Sequence, residues 1–279
     1  MLVSSKTLLA EARKQGYAVG AFNYYNLDTL FAVIEAAEEE RAPIIAQLYT
    51  LDFLTHKGTA IAAATLEAIK ESPVPIAFHL DHCNSYEYIV KALVSGFNSV
   101  MIDASKTPLE ENIALTAKVV ELAHYAGVFT EAELGPITRV GIDEPEDYEN
   151  LADVDGCRRL VSETGVDSLA PAVGTAHGIY TSEPKIDFDR LANIAKAVDV
   201  PLVLHGGSGI PDAMMRKAIS CGISKINYGT LLKHTWSKTM KACLDEGELE
   251  IRKMIPVARA AVKEVAREQI RLFGSSGKA

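Results

Sequence analysis

The chain has 279 residues, of which 48% are hydrophobic and 23% charged, and it carries a formal net charge of −9 at pH 7. That balance excludes a disordered or collagen-like polymer and a disulfide scaffold, and the length suffices to bury a core without staples. No clustered stripe of Lys and Arg is present to neutralise phosphates, so nucleic acid is excluded as the main partner.

Short β-branched and apolar runs alternate with longer amphipathic stretches from one end to the other. Strands are predicted over 19–23 (VGAFN), 44–48 (IIAQL), 76–80 (IAFHL) and 98–102 (NSVMI). Four more are predicted over 128–133, 167–173, 202–205 and 223–227. Helical patterns such as LDTLFAVIEAAEEE, YEYIVKALVSG and IDFDRLANIAKAV fill the intervals. Pro43, Pro75 and Pro201 precede strands, and Gly96, Gly127 and Gly222 follow helices, as expected where helices stop and feed strands. Strands this short and apolar are buried on both faces and belong to a parallel sheet. Eight strand–helix units predict an α/β fold, a single (β/α)8 barrel domain spanning 1–279. A doubly wound open sheet would want a glycine-rich turn after the first strand, where FNYYN stands instead. The acidic, proline-punctuated stretch 136–156 is predicted to be a mobile loop. Cys83, Cys157, Cys221 and Cys243 form no CxxC pair, no apolar run approaches the ~18 residues of a membrane span, and the first residues lack a signal-like apolar region. The expectation is a cytoplasmic protein that does not enter a membrane.

Barrel enzymes build their sites at the C-terminal ends of strands. Here those ends carry His79-Leu80-Asp81-His82, Asp103-Ala104-Ser105, Glu131-Ala132-Glu133, Gly174-Thr175-Ala176-His177-Gly178 and His205-Gly206-Gly207-Ser208-Gly209. A lone histidine there is more often a hydrogen-bonded core residue than a ligand. Histidines on three separate strands of one rim are converged by the barrel, and three imidazoles with an open position are the usual construction of a catalytic zinc site. His79, deeper in its strand, is read as structural. The glycine-rich segment after strand 7 has a plain reading as a tight turn. It also leads into IPDAMMRKAI, a helix whose free N–H groups would suit a phosphate, and Asn227-Tyr228-Gly229-Thr230 occupies the matching place after strand 8. The residues therefore describe a metal-dependent barrel enzyme acting on a small phosphorylated substrate.

With those motifs in view, the chain resembles the class II, metal-dependent ketose-bisphosphate aldolases. The resemblance runs from Gly20-Ala21-Phe22-Asn23 through HLDH at 79–82, DASKTPLEENI at 103–113, EAELG at 131–135, GTAHG at 174–178, LVLHGGSGIPD at 202–212 and KINYGT at 225–230 to RLFGSSGKA at 271–279. It implies that His82, His177 and His205 hold a catalytic zinc ion and that Asp81 is the acid/base exchanging a proton with the aldehyde oxygen. It implies that Asn23, Gly178, Gly206, Gly207, Ser208, Asn227, Tyr228, Gly229 and Thr230 hold dihydroxyacetone phosphate, with a monovalent cation, Na+ or K+, nearby. Asp103 and Glu133 match an alternate metal site. Arg252 resembles an arginine that a neighbouring subunit of a homodimer or homotetramer sends to the far phosphate, although Ile251 departs from the Asp-Pro-Arg pattern. Further departures gather around the aldehyde half. Tyr49 stands where a serine is common after strand 2, Cys83 replaces a glycine, and Thr181 stands near a missing lysine. The loop after strand 5 reads Pro136-Ile137-Thr138-Arg139-Val140-Gly141-Ile142 before its acids resume at Asp143 and Glu144, the expected base at the nucleophilic carbon. The resemblance implies a substrate of fructose- or tagatose-bisphosphate type, and the departures predict slow turnover of fructose 1,6-bisphosphate itself. Alternatives are another aldehyde partner, as in an inositol-catabolic 5-dehydro-2-deoxyphosphogluconate aldolase, or a non-catalytic barrel subunit. A Schiff-base mechanism through Lys225 is the competing chemistry.

Overall fold

The eight predicted strands all form, as β1 (Val19–Asn23), β2 (Ile44–Tyr49), β3 (Ile76–Cys83), β4 (Ser99–Ile102), β5 (Phe129–Leu134), β6 (Ser168–Pro171), β7 (Leu202–Leu204) and β8 (Ile223–Tyr228). They pair in parallel in chain order, and β8 returns to β1, which closes the barrel. The structure is a computed structural model and describes residues 1–55, 57–140 and 151–279. Helix α1 (Ser5–Gln15) precedes the barrel. The connections carry α2 (Leu27–Glu40), α3 (Thr50–Phe53), α4 (Gly58–Glu71), α5 (Tyr86–Val94), α6 (Leu109–Tyr125), α7 (Val154–Thr164), α8 (Phe188–Ala197) and α9 (Asp212–Ser220), and α10 (Thr230–Asp245) and α11 (Ile251–Phe273) follow β8. Side-chain caps start several of them: Asn26 and Thr29 form a reciprocal capping box on α2, and Asp153 and Asp187 accept amides of α7 and α8.

Two apolar layers follow from the alternation of strand side chains. Outward residues such as Ile44, Ala46, Phe78, Leu80 and Val100 pack against the helices in the main core. A smaller cluster joins Leu8, Leu9 and Ala12 of α1 to Val19, Ala21, Ile45, Ala77 and Phe129, so α1 plugs the N-terminal end of the barrel. Two residues further along each strand, the inner face turns polar: Gln47, His79, Glu131 and Lys225 are all essentially buried. Another step brings Asn23, Tyr49, Asp81, Glu133 and Asn227 toward the mouth. The fold is thus sealed with hydrocarbon below and carries its chemistry above.

Two expectations are corrected. The loop after β5 ends earlier than 156, because Asp153 caps α7 and draws Val154 to Gly156 into that helix. The glycine-rich segment after β7 does not open α9 directly, since that helix begins at Asp212 after Pro211. Instead the Gly207 amide donates to the Asn227 carbonyl at 3.1 Å, tying the turn to the end of β8.

Candidate active site

Asp81 and His82 are sequence neighbours, and in a regular strand they would point to opposite faces. Both line the same cleft. The pairing of β3 with β4 shifts register between Leu80 and Cys83, and His82 adopts φ 51°. A bulge with a left-handed residue rotates the second side chain to the face of the first. Such a conformation at a non-glycine residue costs on the order of 1–3 kcal/mol and persists only where the surroundings impose it. The pleat is broken here in favour of the site.

The carboxylate of Asp81 is buried and clamped. The Asn23 amide donates to its Oδ2 at 2.8 Å and the Asn227 amide to its Oδ1 at 3.1 Å. Gln47 in turn donates to Asn23 Oδ1 at 2.8 Å, so β1, β2, β3 and β8 together aim one carboxylate.

His82, His177 and His205 come from three strand ends and meet; one ligand atom from each lies within 4.8 Å of the others. A second group, His82, Asp103 and Glu133, shares His82. His82 Nδ1 donates to Asp103 Oδ2 at 2.9 Å, and His205 Nε2 donates to Glu131 Oε1 at 3.0 Å. Those bonds direct His82 Nε2 and His205 Nδ1 at each other across 3.0 Å. Two lone pairs cannot face each other there without a positive charge between them. Two nitrogen donors of one tetrahedral ion lie roughly 3.3 Å apart, given metal–nitrogen bonds of about 2.0 Å, so this spacing suits a shared metal. The buried Glu133 Oε2 accepts no hydrogen bond among the described residues and stands 3.6 Å from His205 Nδ1. Orienting carboxylates behind imidazoles are the usual support of a metal centre, so the residues present fit a divalent cation.

Protonation follows the same geometry. Burial works to lower the pKa of His82, but Asp81, Asp103 and Glu133 outweigh it and push it up to about 9. His177 and His205 are lowered, first by burial and then by the charge of His82. Burial and then Asp103 raise Glu133 well above the usual carboxylate range. For Asp103 the bond to His82 overcomes burial and holds the carboxyl low. The cluster is organised around one positive charge.

The cleft above these groups has a volume of about 420 Å³. Asn23, Gly178, Gly206, Gly207, Ser208, Asn227, Gly229 and Thr230 line it. Glycine is required at Gly206, which has φ 68° and whose added Cβ would lie 2.3 Å from the Ala176 carbonyl. At Gly229 a Cβ would lie 2.7 Å from Asn23 Oδ1. Helix α10 begins at this edge with Gly229 as its cap, and Ser208 Oγ accepts the Leu231 amide at 3.3 Å. The helix terminus offered to an anion is therefore that of α10 and not of α9.

Not every expected residue joins the cleft. The ring of Tyr228 turns outward, between Phe22 and Phe273, each 6.3 Å away, so only its backbone could serve the site. Arg252 lies on α11 with its side chain 91% exposed and paired with Glu250, outside the lining. Asp143 and Glu144 lie outside the described residues. Conversely, Tyr25, Tyr49, Arg139, Lys233 and His234 line the cleft without having been singled out as binding groups, and Gln47 and Glu131 hold its key residues from below. Gln47 was findable, as an amide at an inward position of an otherwise apolar strand.

A closed barrel that gathers imidazoles, carboxylates and a glycine-lined cleft at its strand ends is an enzyme with a candidate metal centre. The family model described as fructose-bisphosphate aldolase class-II matches residues 3–278, and the chain belongs to that family. It is a class II aldolase, a lyase. It is 45% identical over 286 residues to a Bacillus subtilis (strain 168) protein named "Probable fructose-bisphosphate aldolase", covering 100% of this chain and 99% of that protein. A Staphylococcus epidermidis fructose-bisphosphate aldolase is 41% identical over 283 residues, at 100% and 99% coverage. The crystal structure of the YdjI aldolase from Escherichia coli K12 superposes with a TM-score of 0.91 at 39% identity, covering 100% of both chains. No helix among the described residues is long and apolar enough to cross a membrane.

Proposed function

We propose that the chain reversibly cleaves a ketose phosphate into dihydroxyacetone phosphate and an aldehyde, with zinc held by His82, His177 and His205. The observation that carries this reading is the meeting of three imidazoles beside the doubly clamped Asp81 in one glycine-lined cleft. The ion, when bound, supplies positive charge that polarises a carbonyl and offsets the negative charge developing on cleavage. Asp103 and Glu131 hold two of the imidazoles in the tautomers that coordination needs.

In the cleavage direction Asp81 accepts the proton of the hydroxyl on the carbon that becomes the aldehyde. The carbon–carbon bond breaks, its electron pair passes to the dihydroxyacetone phosphate half as an enediolate, and that carbon is then protonated; condensation runs the reverse. The phosphate rests among Gly178, Gly206 to Ser208 and the start of α10, with Lys233 on the same wall. Asp143 or Glu144 is assigned the second proton, on the sequence motif alone. If so, the double variant Asp143→Ala/Glu144→Ala exchanges the dihydroxyacetone phosphate proton with solvent at least roughly 10²-fold more slowly than the parent. Equal exchange rates would move the base elsewhere.

Lys225 supports metal chemistry over a Schiff base. Its side chain is 1% exposed and its Nζ pairs with Glu131 Oε2 at 2.7 Å, below the cleft floor. Borohydride with dihydroxyacetone phosphate is expected to leave Lys225 unlabelled in a peptide map, whereas a chelator abolishes cleavage.

The departures around the aldehyde half lead us to expect slow turnover of fructose 1,6-bisphosphate and faster turnover of another partner. The deciding experiment condenses dihydroxyacetone phosphate with a panel of aldehydes, with metal content measured on the same enzyme. Absence of every condensation product from metal-replete protein would reject the aldolase reading. An assembly of two or four copies, testable by light scattering, is the arrangement in which Arg252 would meet a neighbour's cleft.

A further inference from the structure

Two of the departures meet in space. Tyr49 ends β2, Arg139 follows β5, and 90 residues separate them, yet Arg139 Nη2 donates to Tyr49 Oη at 2.6 Å. The guanidinium carbon also stands 5.9 Å from the centroid of the Tyr49 ring. Both residues line the cleft. The backbone around Arg139 is fixed. The His177 amide donates to the Thr138 carbonyl at 2.7 Å and the Val140 amide to the His177 carbonyl at 2.8 Å, a short parallel bridge that fastens this backbone to a candidate metal ligand. Tyr49 packs edge-on to the His82 ring at 6.2 Å, so the pair stands beside a candidate metal ligand.

The closed strand order relates this pair to the glycine-lined wall of the cleft. Gly206 to Ser208 follow β7 and Lys233 lies on α10 after β8, whereas the guanidinium of Arg139, whose backbone is bridged beside Gly178, is held at Tyr49 of β2 next to His82 of β3. Asp81, His82 and His177 line the same cleft. A ketose laid with its dihydroxyacetone phosphate half on the β7–β8 side sends its aldehyde half toward Arg139. A planar guanidinium steadied by a phenol is suited to bidentate recognition of an oxyanion.

We propose that Arg139, positioned by Tyr49, forms a same-chain subsite for an anionic group on the aldehyde half, a terminal phosphate or carboxylate. The subsite rests on the aldolase reading above. It places a basic side chain on the aldehyde side as Lys233 does on the phosphate side, so the favoured ketose carries an anionic group on each half, and discrimination against neutral aldehydes arises within one subunit.

The test is a ratio, which a general loss of activity does not distort. Condensation of dihydroxyacetone phosphate is measured with glyceraldehyde 3-phosphate, with a carboxylate-terminated aldehyde of similar length, and with neutral glyceraldehyde. For the parent, kcat/KM should favour at least one anionic aldehyde, and which one identifies the oxyanion. In Arg139→Gln the anionic-to-neutral ratio should fall roughly 10- to 100-fold, the usual worth of a charge-assisted hydrogen bond. Arg139→Lys should retain more of the ratio than Arg139→Gln, and Tyr49→Phe should lower it by a smaller factor through KM for the anionic partner. A parent ratio near one, or a ratio in Arg139→Gln within about twofold of the parent, overturns the subsite while condensation itself still stands. Failure of the parent to exchange the dihydroxyacetone phosphate proton or to condense any aldehyde overturns the aldolase reading and the subsite together.

Discussion

His177→Ala protein is expected to fold as the parent does, to purify with little metal, and to cleave its substrate at least roughly 10³-fold more slowly, because several kcal/mol of charge stabilisation leave with the ion. The ring is half-buried, touches the other two imidazoles edge-on at 4.8 and 5.8 Å, and makes no side-chain hydrogen bond among the described residues. Its removal therefore deletes a ligand without orphaning a buried partner. His205→Ala should lose metal equally and also lose stability. Its ring is fully buried, and without it Glu131 Oε1 is left with no donor, a cost of about 1–3 kcal/mol. The contrast is the check: metal content by elemental analysis should fall in both, and the melting temperature should drop clearly only in His205→Ala. Full activity with stoichiometric metal in either variant would end the three-histidine proposal.

How much of this could be read from the sequence depends on which physical signal was local. Strand positions were legible because each buried strand is an apolar run bounded by proline or glycine, and closure followed from there being eight. The convergence of His82, His177 and His205 was legible for the same reason, since a barrel brings all strand ends to one rim. The bulge at 80–83 was not, because nothing in Leu-Asp-His-Cys announces a left-handed histidine. The start of α9 is not legible, because Gly-Gly-Ser-Gly serves equally as a helix entry or a free-standing turn. What decides is the bond from Gly207 to Asn227, a contact between β7 and β8. Tyr228 shares a motif with its glycine-rich neighbours, but strand parity turns its ring to the helices while Asn227 takes the inner face. The meeting of Tyr49 with Arg139 joins two strands that are not adjacent in the barrel, a relation no local pattern encodes.

Asp81→Asn should keep its metal and lose turnover by roughly 10²-fold or more, the usual loss when a positioned acid/base is removed. The substitution first raises a structural problem. Both oxygens of Asp81 accept from amide NH2 groups, of Asn23 and of Asn227, so a carboxamide at this position sets one donor against another in either orientation. Asn23 turns only if Gln47 turns with it, because its own carbonyl oxygen accepts from Gln47. Asn227 can turn alone, since its Oδ1 accepts no hydrogen bond among the described residues and would, after an amide flip, accept from the new NH2. The flip removes an NH2 that also stands 3.2 Å from His205 Nε2, on the side of that ring facing away from His82, so the coordinating edge is left undisturbed. The variant therefore isolates the proton-transfer role. Asp81→Ala leaves both amides without an acceptor and should be the less stable of the two. The measurements are metal content, melting temperature and the rate of carbon–carbon cleavage on one preparation of each. Near-normal cleavage by metal-loaded Asp81→Asn would mean that the hydroxyl proton leaves by another route.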